Sequence, residues 1–71
     1  MEKSLDQKIN ENLKFEIEHS GKSKAEIARA LGIRPSSVSQ YCNGSTQPTL
    51  ANLSRLCKFL GISADDILEI K

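Results

Sequence analysis

Apolar side chains at Leu5, Ile9, Leu13 and Ile17 return every fourth residue along an otherwise polar stretch, the spacing that lines one face of a helix. A first helix is therefore predicted over roughly 5–19, ended by Ser20 and Gly21. Ser23 is a suitable N-cap, and Glu26 three residues later completes a capping box. Ile27, Ala28 and Leu31 then form the apolar stripe of a two-turn helix that stops at Gly32. Pro35 suits the first position of a third helix, where its missing N–H costs nothing, and Val38 and Tyr41 at i, i+3 turn inward before Asn43 and Gly44 end it. After the loop NGSTQP, Thr49 caps a fourth helix that keeps Leu50, Leu53, Leu56, Cys57 and Leu60 at helical spacing until Gly61. Ser63 caps a fifth helix with Ile67 and Leu68, its first turn holding Asp65 and Asp66 where the helix dipole favours negative charge. The pattern predicts a compact all-α, five-helix domain occupying residues 1–71 as one unit, without repeats or linker.

Composition narrows the class without changing it. With 38% hydrophobic and 27% charged residues, three aromatics, four glycines and two prolines, the chain fits neither an all-β barrel nor a disordered tail. A chain of 71 residues buries only about 60% of its unfolded surface, so modest stability is expected. No apolar run approaches the ~18 residues needed to cross a bilayer, and MEKSLDQKIN is too charged for a secretory signal, which predicts a cytoplasmic protein. Cys42 and Cys57, with His19 as the one histidine, are too sparse for a disulfide framework or a zinc site. Both are read as free thiols, with no metal, cofactor or small-molecule ligand implied. Catalysis is not expected either: there is no Ser/His/Asp arrangement and no glycine-rich phosphate loop, and Asp65 with Asp66 is accounted for by the dipole.

A net charge of +1 says little, but its distribution is uneven. Residues 22–47 carry Lys22, Lys24, Arg29 and Arg34 against Glu26 alone, a balance of +3. The residues before them hold Lys3, Lys8 and Lys14 against Glu2, Asp6, Glu11, Glu16 and Glu18, a balance of −2. The positive charge thus falls on the second and third predicted helices.

Those two helices, joined through Gly32, have the residue types of a helix-turn-helix over about 23–42: a small Ala28 where helices cross, a glycine able to turn left-handed, and Ile33 and Val38 to fill the angle. In SKAEIARALGI, VSQYCNG and QPTLANLSRLCKFLGISADDIL the chain resembles the lambda-repressor-like, or Cro/C1-type, helix-turn-helix domains, matching their second, third, and fourth to fifth helices. The resemblance implies sequence-specific binding of double-stranded DNA by a transcriptional regulator, with repression ranked ahead of activation. It places the third helix, 35–42, in the major groove while the second crosses the backbone.

With Val38 and Tyr41 turned inward, Ser36, Ser37, Ser39 and Gln40 are expected on the opposite face, small enough to let the helix sink into a groove. Gln40 is the first candidate base reader, since its amide can bond bidentately to adenine, and Ser36 the second. Ser37 and Ser39 could meet bases or phosphates, or simply face solvent. Arg34 could reach a phosphate or a guanine edge. Ser23 and Lys24 at the start of the second helix, and Asn43, Ser45 and Thr46 at the end of the third, are the expected phosphate contacts, although Asn-Gly is also a good helix stop. The chain departs from the family at five places, two of them Lys24, where relatives often carry a glutamine, and Cys42, where they often carry an acidic residue. Pro35 stands where relatives often carry a base reader, Arg34 is a poor N-cap, and Lys22 occupies a commonly apolar place.

A module reading three or four bases seldom suffices alone, so a homodimer on a palindromic operator is expected, its half-sites ~34 Å apart. Ile67 and Ile70 are its predicted contact, with membership of the monomer's own core as the competing assignment. A bacterial or phage setting, close to the nucleoid, follows from the same resemblance. The alternative function is a protein-interaction or antitoxin-like adaptor module, which would be expected to show aromatic, leucine or methionine side chains where this chain shows serines and glutamine.

Overall fold

Four of the five helices begin at a side chain that accepts from one of their first free N–H groups. In the computed structural model, which describes residues 4–69, the helices are α1 Leu5–Glu18, α2 Lys24–Leu31, α3 Pro35–Asn43, α4 Leu50–Leu60 and α5 Ala64–Leu68. Ser4, Ser23 and Ser63 form reciprocal capping boxes with Gln7, Glu26 and Asp66, and Thr49 accepts from the Asn52 N–H at 3.2 Å. The all-α, five-helix prediction holds, with the caps from Ser23 onward where they were expected. Only α3 starts without a side-chain cap, at Arg34, with Pro35 in its first turn.

The Glu26 carboxylate accepts from the Ser23 N–H at 3.1 Å, and the Ser23 hydroxyl accepts from the Glu26 N–H at 3.0 Å. Hydrogen bonding to the Ser23 backbone, then to its side chain, lowers the Glu26 pKa below the usual glutamate value. A carboxyl whose pKa falls on folding adds stability above its unfolded pKa, and that contribution is lost as pH drops through the folded value. Observed by NMR, Glu26 should titrate below a normal glutamate, and Ser23→Ala should move its midpoint part of the way back.

The turn between α2 and α3 depends on Gly32, which takes φ 70°, ψ 33°. From there its N–H reaches the Ala28 and Arg29 carbonyls, the Ile33 N–H donates to Ala28 at 2.9 Å, and Ile33 packs against the core. A Cβ on Gly32 would meet nothing within 4 Å, so the cost of Gly32→Ala is conformational alone. Urea denaturation should show a loss of about 1 kcal/mol.

The core is one cluster drawn from all five helices: Leu13 and Ile17, Ile27, Ala28 and Leu31, Val38 and Tyr41, Leu53, Leu56 and Cys57, and Ile67. The Cα radius of gyration, 11.3 Å, is that of a close-packed chain of this size, about 11 Å. α1 packs against α3 and α5, while α2 packs against α3 and α4, so α3 is gripped from two sides.

Three positions depart from the periodic reading. Leu5 and Leu50 stand in apolar stripes yet are 58% and 83% exposed, each as the first residue of its helix. Ile67 departs in the opposite direction. Expected at a dimer contact, it is 0% exposed inside the monomer, because α5 is docked on α1. The Asn12 Nδ2 donates to the Ile67 carbonyl at 3.1 Å and to Glu69 Oε2 at 3.0 Å, fixing that docking. Ile70, the other residue assigned to the contact, lies outside the described residues. No described helix is long and apolar enough to cross a membrane.

Candidate nucleic-acid interface

Burial of Val38 and Tyr41 settles which way α3 faces. Ser36, Ser39, Gln40 and Asn43 follow one another at i, i+3, i+4 and i+7 and form its outer stripe. Ser36, Gln40 and Asn43 are exposed and Ser39 is half-buried. Ser37, four residues before buried Tyr41, is half-buried and turned to the flank, so the structure does not bring it onto that stripe. From Ser36 to Asn43 the stripe rises about 10 Å, close to the length of three stacked base pairs.

The two exposed amides differ chemically. Asn43 Oδ1 accepts from the Ser45 N–H at 2.8 Å, a bond that ties the side chain to the turn while its NH₂ remains able to donate. Gln40 contributes its main-chain carbonyl to the helix end, accepting from Gly44, Ser45 at 3.0 Å and Thr46 at 3.5 Å, so its side-chain amide is not needed there. The loop is further tied to α1. Gln47 Nε2 donates to Asn10 Oδ1 at 3.4 Å, and a Cβ on Gly44, at φ 82°, would come within 3.1 Å of Asn10 Nδ2. Ser45 and Thr46 are therefore exposed on a loop held in place from behind. Sequence spacing alone could have placed Asn43 on the outer stripe, seven residues after Ser36. The bond that ties its amide to Ser45 depends on the turn and has no signal in the spacing.

At the other end of α3, Arg34 is exposed and makes no capping bond. Lys24 opens α2 and is exposed beside it in sequence to Ser23, whose oxygen is committed to the cap while its O–H remains able to donate. Lys22 is directed elsewhere: its ammonium lies 5.4 Å from the centroid of the Phe59 ring, a cation–π contact with α4. Burial raises the Cys42 thiol, on the flank of α3, above its usual pKa, and burial does the same to Cys57 in the core. Both thiols are free. Among the described residues, no cluster of histidine, cysteine and carboxylates could hold a metal ion.

A helix-turn-helix family profile matches residues 13–67, from the first fully buried leucine of α1 to the buried isoleucine of α5. The chain belongs to the Cro/C1-type helix-turn-helix family. Among curated proteins and among solved structures, none matches it significantly. In a Cro/C1-type domain α2 and α3 are the helix-turn-helix, and the family is one of DNA-binding transcription regulators. The polar stripe described above lies on the second helix of this helix-turn-helix.

Proposed function

We propose that this domain recognises a specific double-stranded DNA sequence with α3 in the major groove and regulates transcription by occupying that site, as a repressor. One observation carries the reading: α3 buries its only bulky apolar groups, Val38 and Tyr41, and turns outward a stripe of small hydroxyls and carboxamides. Within it, Gln40 and Ser36 are the base readers, joined at the margin by Ser39, while Arg34 serves a guanine edge or a phosphate at the uncapped start of the helix. Ser37, turned to the flank, is better placed for the sugar-phosphate wall. Lys24 with Ser23, and Asn43 with Ser45 and Thr46, hold the backbone at the two ends. The Asn43 amide, held to the turn through Ser45, presents an NH₂ donor that suits a phosphate oxygen.

Three base pairs specify too little, so the domain acts as a homodimer on a palindromic operator, in the cytoplasm where bacterial or phage DNA is found. With Ile67 interior, the apolar contact falls to side chains that remain exposed, of which Leu50 is the barest. Selection of bound sequences from a random duplex pool at physiological salt tests the whole reading. Enrichment of a two-fold symmetric site, its halves about 34 Å apart, is the expected result. A pool that emerges without any preferred sequence would overturn it.

A further inference from the structure

The charge count along the chain puts Lys14 in an acidic segment, apart from the basic helices. Packing changes its neighbours. α1 lies against both α3 and α5, and two contacts show which of its sides meets which. Asn12 bonds the end of α5, whereas Asn10 touches the end of α3 at Gly44 and bonds Gln47 beyond it. Lys14 and Glu18 follow Asn10 at i+4 and i+8, so they continue its side of α1, each step advancing about 6 Å along the axis. Both are exposed. The charged groups whose fields reach the half-buried Cys42 thiol are Lys24, Glu18 and Lys14, in addition to the burial that dominates its pKa. The side of α1 that meets α3 therefore carries an ammonium and a carboxylate, and the Lys24 ammonium on α2 acts on the same thiol. Cys42 borders the Ser39 and Asn43 side of α3, the edge of the outer stripe.

We propose that Lys14 is a positioning residue that binds a DNA phosphate on the same strand wall as Lys24, and that Glu18 opposes it, limiting non-specific affinity. The inference rests on the DNA-binding reading above. A backbone running along the flank of α3 passes Lys24 and then Lys14, so each ammonium displaces counterions on its own account. Glu18 faces the same wall with the opposite sign. Non-specific binding in this domain is thus trimmed by one carboxylate that specific base contacts at Gln40 and Ser36 do not touch.

The test uses the full chain and its Lys14→Ala, Lys24→Ala and Glu18→Gln variants, with a mixed-sequence duplex of about 20 base pairs titrated between 50 and 200 mM salt. Circular dichroism melts check that each variant is folded. Lys14→Ala should weaken binding and lower the slope of log affinity against log salt by about 0.9, so that its affinity falls about threefold less than wild type across that salt range. Glu18→Gln should tighten binding by about two- to fivefold at the low-salt end, a gain that no loss of structure can imitate. Should Lys24→Ala lower the slope while Lys14→Ala leaves it at the wild-type value, or should Glu18→Gln fail to tighten binding, the proposal is overturned and the DNA-binding reading stands. If the wild-type chain binds no duplex at any of these salt concentrations, both fall together.

Discussion

Replacing Ile67 by alanine should lower the free energy of unfolding by about 2–5 kcal/mol, and by the same amount at every protein concentration. The side chain is 0% exposed and belongs to the single core cluster, so its removal leaves a cavity that five short helices cannot close without moving α5 off α1. A 71-residue domain has roughly 4–10 kcal/mol of stability to begin with, so the variant should be partly unfolded near body temperature. Equilibrium urea denaturation over a hundredfold range of protein concentration checks both halves of the statement. An interface residue would give a loss that shrinks when the dimer is diluted away, since oligomerisation stabilises by mass action. A concentration-dependent loss would return Ile67 to the dimer contact and contradict its place in the core.

Ile67 also shows where the sequence stops being informative. Its periodicity says that one face of α5 is apolar, and both a core and an interface satisfy that. The choice is made by Asn12, 55 residues away, whose amide bonds the Ile67 carbonyl and holds the helix down. Leu50 errs in the other direction: its spacing matches Leu53 and Leu56, yet as the first residue of α4 it stays 83% exposed at the edge of a cleft shared with Ile9 and Leu68. Helix limits were legible because caps are local chemistry. Ser23 with Glu26, Gly32, Pro35, Thr49, Gly61, and Ser63 with Asp66 each act within four residues. The Ser4 and Gln7 capping box is equally local, but it precedes the apolar stripe that starts at Leu5 and so lies outside the periodic signal. The candidate site divides in the same way. Gln40 and Ser36 follow from knowing which side Val38 buries, whereas the bond of Asn43 to Ser45 and the packing of α1 on α3 depend on a turn and on tertiary contacts.

Gln40→Ala should relax preference at one base pair in each half-site, at a loss of about 1–3 kcal/mol on the matched sequence and almost none on a duplex already altered there. Gln40 offers a donor and an acceptor in a single plane with no bond tying its amide to the helix end, whereas the Asn43 amide is anchored there. Asn43 Oδ1 accepts from the Ser45 N–H, and the serines carry one hydroxyl each. Bidentate contact with adenine N7 and N6 needs that combination, so the discrimination cannot pass to a neighbouring side chain when Gln40 is cut back. Lys24→Ala should behave differently, weakening matched and mismatched duplexes alike and reducing the salt slope by about one unit, because an ammonium on a phosphate reads charge without sequence. Competition binding with a matched site and its single-base-pair variants, repeated at two salt concentrations, separates the two effects. Equal losses on all duplexes for Gln40→Ala would move recognition off the centre of α3. The small hydroxyls beside it would then serve to let the helix approach the groove, with its sequence preference coming from the shape of the DNA.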